Sequence, residues 1–202
     1  MPDHLLEIDI EGLAQGCVHD ASGALFPVRF VPSPNCDERV PRTIIDLLVI
    51  HAISLPPGEF GGPAIEALFT NTLDPAGHPY FGGIAALKVS AHFLVRRDGS
   101  VIQFVPCTMR AWHAGASRWL GRERCNDFSI GIELEGADDV PFEAAQYASL
   151  GALTDALAAA YPLAHVAGHS DVAPDRKTDP GPCFDWPRYR AAVASKLSFP
   201  HA

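Results

Sequence analysis

The sequence has few features of a protein that works on a membrane or on nucleic acid. No stretch approaches the roughly 20 consecutive apolar residues that cross a bilayer, and the opening MPDHLLEIDIEG has no basic segment followed by an apolar run. Positive charge is also scarce, since 15 Lys and Arg stand against 24 Asp and Glu, giving a formal net charge of -9. We therefore expect no secretory signal, no membrane partner and no nucleic-acid partner.

Cysteine is also scarce, and its pattern argues against a disulfide framework. The five cysteines are an odd number, are scattered along the chain and include no CxxC pair. Neither disulfide cross-links nor a thiolate zinc knuckle is expected from such a pattern. Free thiols fit a reducing compartment, so we expect a cytoplasmic protein whose cysteines are buried as small apolar side chains.

The 202 residues fit one domain, and the hydrophobic share of 48% is enough for a core. With 17 Gly and 18 Pro, long ordered loops are expected around a modest regular scaffold. Residues 1–42 are proline-rich near their end and predict an irregular N-terminal arm packed on the domain. We place the domain itself at residues 43–197.

Hydrophobic periodicity predicts a fold of the mixed α/β (α+β) class, with a mixed central β-sheet flanked by helices in a single domain. An Asp98-Gly99 turn predicts a hairpin between two of the strands. The predicted strands are residues 43–51, 91–96, 101–105, 129–134 and 166–169, and the predicted helices are residues 63–69, 142–161 and 187–196.

Two histidines stand at the ends of predicted strands, where a side chain is held rigidly at the edge of a cleft. These are His51 and His169, and Asp179 follows ten residues after the second. Catalytic zinc takes about three ligands from His and Asp or Glu and keeps one position open for water. The spacing by itself is a weak signature, and Asp171 and Asp175 compete with Asp179 for the third position.

Two further residues could supply chemistry beside such a metal. Lys177 lies two positions before Asp179 and would face the same cleft in an extended segment, where it could stabilise negative charge on an attacked carbonyl. Glu133 in the SIGIEL strand could accept the proton of a water and pass it on. Glu135 is expected on the opposite face of that strand, so Glu133 is preferred.

Several long strings identify a resemblance that covers residues 31–189. The chain resembles the N-acetylmuramoyl-L-alanine amidase family, which also includes the peptidoglycan recognition proteins. The strings that carry this resemblance are ISLPPGEFGGP, HPYFGGIA, VSAHFLVRRDG, AWHAG, GRERCNDFSIGIELEG and RKTDPGPCFDW.

The resemblance implies a ligand set and two catalytic groups. One Zn²⁺ would be held by His51, His169 and Asp179. Glu133 would be the catalytic acid/base, and Lys177 would stabilise the transition state.

The resemblance also implies substrate contacts for five residues. Arg124 matches an arginine that holds the substrate, with pairing to Glu123 or Asp127 on the surface as the alternative. Trp112 and His113 lie in a strip that lines the groove. Ala52 and Lys88 depart from the family, where Asn and Arg are common, so substrate preference is expected to differ there. For His113, a place behind a metal ligand and a place in the groove wall both stay open. His92 is expected to pack in the sheet, and the remaining histidines, His4, His19, His78, His165 and His201, are expected to be structural or exposed.

The activity implied by the resemblance is hydrolysis of the lactyl–L-alanine amide bond in 1,6-anhydro-N-acetylmuramyl peptides during cell-wall recycling. Such an enzyme would act as a monomer and would indirectly limit β-lactamase induction. Two alternatives are a non-catalytic module that binds muropeptides and an amidase that acts on intact peptidoglycan. The PPGEF and HPYFGG loops are expected to form a mobile wall over the groove.

Overall fold

The structure, a computed structural model, describes residues 6–19 and 25–200. His4, His201 and the side chain of His19 lie outside this part of the chain, and His78 and His165 within it are half-buried. The strands are β1 (Leu6–Ile8), β2 (Ala14–His19), β3 (Leu25–Pro27), β4 (Arg29–Phe30), β5 (Cys36–Glu38), β6 (Leu47–Ile53), β7 (Phe93–Val95), β8 (Val101–Gln103), β9 (Met109–Ala111), β10 (Arg118–Trp119), β11 (Arg122–Glu123), β12 (Ser129–Glu135) and β13 (His165–Gly168). The α-helices are α1 (Ala64–Phe69), α2 (Ala144–Ala160), α3 (His169–Val172) and α4 (Trp186–Ala192).

A six-stranded mixed sheet forms the centre of the molecule, in the order β13-β6-β12-β7-β8-β4. Strands β13, β6, β12 and β7 run parallel to one another, whereas β7 and β8 form the predicted antiparallel hairpin. Every residue of β12 is buried because helices or loops cover both faces of the sheet. The predicted fold class, a mixed central sheet flanked by helices, is confirmed.

The two faces of the sheet carry different layers, because successive side chains of a strand point to opposite sides. On one face, Leu48 and Ile50 of β6 pack with Leu150 and Leu153 of α2 in the largest core cluster. On the other face, Val49 packs against residues around α3, and a separate cluster forms around α1. The second face is covered mainly by short helices and long loops, which leaves room for a cleft.

The prediction that residues 1–42 are irregular is wrong. Strands β1, β2 and β3 form a separate antiparallel sheet, β4 extends the edge of the central sheet beside β8, and β5 pairs with β9. Leu6 and Val18 from this segment join the core cluster that includes α2. Four of these five strands have only two or three residues, which is too short for periodicity to give a signal. The division into an arm and a domain at residue 43 stays a prediction.

The other predicted elements are present, with shifted ends. Helix α2 begins after Glu143, whose backbone N–H donates to the Gln146 side chain in a capping box. The predicted last helix ends at Ala192 rather than at residue 196. Strand β13 ends at Gly168, so His169 opens α3 instead of closing the strand.

All five cysteines lie in the described part of the chain and are free thiols. Two of them, Cys107 and Cys125, are buried as expected, whereas Cys17, Cys36 and Cys183 are half-buried. Across residues 6–19 and 25–200, every helix falls short of the length and apolar character that a membrane crossing requires.

Candidate active site

The register of the central sheet places the first two site residues side by side. His51 of β6 pairs with Glu133 of the parallel strand β12, so the two side chains leave the same face of the sheet. His169 reaches this face from the start of α3, directly after β13. The following loop returns to α3, where the backbone N–H of Ser170 donates to the carbonyl of Asp179 at 2.8 Å. Residues from three separate parts of the sequence therefore meet at one edge of the cleft.

Three potential ligand atoms converge at this point. Nδ1 of His51 lies 2.9 Å from Nδ1 of His169, and Oδ2 of Asp179 lies 3.1 Å from each of these nitrogens. Both imidazoles are buried, and Asp179 is half-buried. Among the described residues these three form a group that could hold a metal ion.

The two aspartates that compete with Asp179 in the sequence lie elsewhere. Asp171 Oδ2 accepts a hydrogen bond from the backbone N–H of Gly168 at 2.7 Å and so closes the first turn of α3. Asp175 is exposed on the loop. The folded chain thereby brings Asp179, and neither of the others, to the two histidines.

Burial and charge set the protonation of the ligand candidates. Burial lowers the pKa of His51 from 6.5 to about 4, so its ring is neutral at pH 7. Burial by itself raises the pKa of Asp179, but hydrogen bonds with His169 and His51 outweigh it and bring the pKa below its usual value. A neutral imidazole beside an ionised carboxylate is the state in which these groups bind metals.

Glu133 has the environment of a proton-transfer group. It is buried, and burial together with the negative charge of Asp179 raises its pKa well above 4.5, while Lys177 acts in the opposite direction. Among the described residues, no hydrogen-bond partner reaches Oε2 of Glu133. A carboxyl whose pKa is raised by burial is suited to general acid/base work.

A cavity of about 660 Å³ opens in front of these groups. His51, Glu133, His169, Lys177 and Asp179 line its inner end. The other walls combine apolar and aromatic side chains with two carboxylates. They include Leu55, Tyr80, Leu87, Trp112, Asp138 and Asp139. The cavity is therefore large enough for a ligand with both an apolar face and polar groups.

Three of the five predicted substrate contacts line this cavity, namely Ala52, Trp112 and His113. Lys88 is exposed and does not belong to the lining. The side chain of Arg124 is 69% exposed, lies outside the lining and pairs with Asp127 at 3.2 Å. The substrate roles of Arg124 and Lys88 have no support from their positions and stay predictions.

The expectation that Glu135 faces away from Glu133 is wrong. Residues two apart in a strand point to the same face, and Glu135 lies there beyond the cavity. Its carboxylate accepts from the backbone N–H of Gly61 at 2.7 Å and from Arg96 at 2.8 Å. Glu135 thus fixes the end of the PPGEF loop, and the two-residue spacing could have indicated this.

Sequence reasoning missed a layer of polar residues behind the site. The carbonyl oxygen of the Asn126 side chain accepts from the backbone N–H groups of His113 and Ala114, at 3.2 and 2.8 Å. The guanidinium of the half-buried Arg39 donates to the carbonyls of Asn126, at 3.2 Å, and Ser129, at 2.8 Å. Residues so distant in sequence from the ligands give no local signal of this role.

Comparisons with known proteins agree with one another. The sequence profile of the family described as N-acetylmuramoyl-L-alanine amidase matches residues 41–182. The chain is 60% identical over 174 residues to the 1,6-anhydro-N-acetylmuramyl-L-alanine amidase AmpD of Salmonella typhimurium (strain SL1344), covering 85% of this chain and 93% of that protein. A crystal structure of a selenomethionine derivative of AmpD matches with a TM-score of 0.80 and 57% identity, covering 87% and 98% of the two chains.

A second solved structure is less similar in sequence. It is the complex of the amidase AmiD from E. coli with anhydro-N-acetylmuramic acid-L-Ala-D-γ-Glu-L-Lys. It matches with a TM-score of 0.56 and 30% identity, covering 89% of this chain and 66% of that one.

Proposed function

This chain belongs to the N-acetylmuramoyl-L-alanine amidase family and is an amidase, and we propose that it uses one Zn²⁺ to hydrolyse 1,6-anhydro-N-acetylmuramyl peptides. The bond cleaved is the amide between the lactyl group of the sugar and L-alanine. The observation that carries the proposal is the convergence of two imidazole nitrogens and one carboxylate oxygen beside a buried glutamate.

The residues of the site fit zinc. Two imidazoles and one carboxylate are a donor set of catalytic zinc. The distances of 2.9–3.1 Å between the three atoms suit a common ion bonded to each at about 2 Å. We assign His51, His169 and Asp179 as the ligands.

When bound, zinc supplies a Lewis acid that lowers the pKa of water to about 7. Glu133, adjacent to His51 across the sheet, accepts a proton from the attacking water as a carboxylate and then donates it to the leaving nitrogen of L-alanine. Lys177 lines the same end of the cavity, and its ammonium group stabilises the negative charge that develops on the carbonyl oxygen. In this scheme both residues act directly on the reacting atoms.

The relatives and the cavity support an anhydro-muropeptide as the substrate. AmpD of Salmonella typhimurium is named a 1,6-anhydro-N-acetylmuramyl-L-alanine amidase. AmiD is solved in complex with an anhydro-muramyl tripeptide. An aromatic wall of Tyr80 and Trp112 suits the apolar face of a sugar ring, while the open side of the cavity lets the peptide extend outward.

The cellular role follows from the same substrate class. We propose a cytoplasmic enzyme of cell-wall recycling, a location supported by five free thiols. By removing anhydro-muropeptides, it would indirectly limit β-lactamase induction.

Product analysis by mass tests the proposal. The protein is incubated with an anhydro-muramyl tripeptide and, separately, with intact insoluble peptidoglycan, each with and without a chelator. We expect anhydro-sugar and free peptide from the first substrate, abolition by the chelator, recovery with added zinc, and slow release from the insoluble wall. Turnover that survives complete metal removal would contradict zinc dependence, and faster release from the insoluble wall would favour the amidase of intact peptidoglycan.

A further inference from the structure

His113 holds no ligand position, yet it lies directly against one of the proposed ligands. Its Nδ1 is 3.0 Å from Nε2 of His51, the ring nitrogen on the side away from His169 and Asp179. The two rings meet edge to face, with centroids 5.0 Å apart and planes at 88°. His113 therefore contacts His51 from behind the candidate zinc site, and it is also among the residues that line the cavity.

The hydrogen bonds on the far side of His113 fix the position of its proton. The buried hydroxyl of Ser129 donates to the carbonyl of Cys125 at 2.6 Å, so its oxygen is left to accept. Nε2 of His113 lies 3.3 Å from this oxygen and is therefore the nitrogen that carries the hydrogen. A neutral imidazole has one N–H, so a hydrogen on Nε2 leaves Nδ1 as the acceptor.

The position of the hydrogen on His113 determines the position of the hydrogen on His51. Because Nε2 of His113 carries the hydrogen, its Nδ1 is an acceptor, and Nε2 of His51 is the donor across the 3.0 Å contact. A neutral His51 that carries its hydrogen on Nε2 has a bare lone pair on Nδ1. That lone pair points to the place where Nδ1 of His169 and Oδ2 of Asp179 converge.

Ala114, the residue after His113, contacts the other histidine ligand, His169, in a similar way. Nε2 of His169 lies 3.2 Å from the carbonyl oxygen of Ala114, to which it donates, so Nδ1 is the nitrogen left to face the metal site. Asn126 accepts from the backbone N–H groups of both His113 and Ala114 and so fixes the segment. Two lone pairs and a carboxylate facing one another repel unless a cation lies between them.

We propose that His113 is a positioning residue, which accepts the Nε2 hydrogen of His51, donates to Ser129, and thereby holds the Nδ1 lone pair of His51 ready for the metal. The inference rests on the proposed zinc-dependent function. In physical terms, His113 selects one tautomer of His51. A proton on Nδ1 of His51 would occupy the position of the metal bond, and a neutral imidazole without a fixed partner exchanges between its two tautomers.

The central strand is shaped to admit this ring. A Cβ atom on Gly131 of β12 would lie 2.4 Å from Cγ of His113, so any larger residue would displace the ring. The glycine in SIGIEL is thereby explained by close packing of His113 on the strand, since its conformation requires no glycine.

Zinc affinity, measured by competition with a chromophoric chelator, tests the inference on the full chain. For His113→Leu we expect zinc binding about 10- to 100-fold weaker, the range found when groups that orient a ligand are removed. For His113→Asn, whose side-chain oxygen can still accept the hydrogen of His51, we expect a smaller loss. Ser149→Ala is the matched control for Ser129→Ala, since both hydroxyls are buried and donate to a backbone carbonyl at 2.6 Å; only Ser129→Ala is expected to weaken zinc binding.

Nitrogen-15 spectra of the metal-free protein read the tautomers directly. We expect Nε2–H on His51 and on His113 in the natural chain, and a mixture on both rings in Ser129→Ala, which also tests the inference if His113→Leu does not fold. An Nδ1–H tautomer of His51, or unchanged zinc affinity in a folded His113→Leu, would overturn the inference. Failure of the natural chain to bind zinc would instead contradict the proposed function, so the two failures are distinct.

Discussion

Asp179 supplies the negative charge of the proposed zinc site, and its role can be tested with a nearly isosteric change. Asp179→Asn removes the charge while preserving the shape of the side chain. We expect zinc affinity to fall by more than the roughly 100-fold that is lost when a residue hydrogen-bonded to a ligand is removed. Asp175→Asn, on the same loop but exposed, is the control and should bind zinc as the natural chain does. Equal zinc affinity in the two variants, measured by equilibrium dialysis, would contradict the ligand assignment.

Glu133 should affect turnover without affecting metal content. Glu133→Gln keeps the size of the side chain and removes its ability to accept a proton, so kcat should fall by about 10²- to 10⁴-fold. Zinc stoichiometry should stay at one, because Glu133 is not among the three converging ligands. Steady-state kinetics on zinc-loaded protein provide the measurement, and near-normal kcat would exclude Glu133 as the acid/base.

At the scale of single residues, the sequence predicts which residue types could bind a metal. Residue type does not predict which of several nearby carboxylates takes the ligand position. His51, His169 and Asp179 were expected as ligands, and the structure brings them together. Residue type could not separate Asp179 from Asp171, because both are carboxylates close to His169 in sequence. The choice depends on the loop that returns Asp179 to α3 and on the capping of α3 by Asp171.

At the scale of elements, two loops form walls of the cavity and are expected to respond to ligand. Pro57 and Gly58 of the PPGEF loop and Tyr80 of the HPYFGG loop belong to the lining. Amide hydrogen exchange in residues 58–60 and 80–83 should slow when product is added, because a ligand that contacts both loops suppresses local opening. Gly61, already bonded to Glu135, should change less. Unchanged exchange in both loops would argue against the mobile wall.

Helix α2 shows what a hydrophobic pattern can and cannot predict. Its apolar positions, such as Leu150, Leu153 and Leu157, lie in the core as the spacing indicated. Polar residues of the same helix are also buried: Gln146 donates to the carbonyl of Glu135 at 3.0 Å, and the hydroxyl of Thr154 lies 2.7 Å from that of Tyr189. Their partners come from other elements, so the sequence of the helix gives no indication of their burial.

At the scale of the whole molecule, buried histidines make stability depend on pH. His92 is buried, and burial together with the charge of Arg39 lowers its pKa well below 6.5. Below pH 6.5 the unfolded chain therefore takes up a proton that the folded chain does not, and the contribution of His92 to stability, present above that pH, is lost as pH falls. The slope is at most about 1.4 kcal/mol per pH unit for one group.

Comparison with His92→Gln isolates this contribution. The free energy of urea unfolding is measured from pH 8 to pH 5 for the natural chain and for His92→Gln, both without metal. The other buried histidines are present in both proteins, so the difference between the two curves reports on His92. We expect the natural chain to be the more stable above pH 6.5 and its advantage to shrink at lower pH. An advantage that does not vary with pH would mean that His92 titrates alike in the folded and unfolded states.

The sequence by itself determined the family, the chemistry and the main elements. Its long strings carry the resemblance, and the apolar run LLVI at residues 47–50 predicts a strand that is buried on both faces. The tertiary structure decided which side chains meet. Strand register set Glu133 beside His51, and the packing of residues 113–114 against the sheet placed a ring and a carbonyl behind the two histidines. Such contacts join positions tens of residues apart, and their geometry follows from register and close packing, which local sequence does not encode.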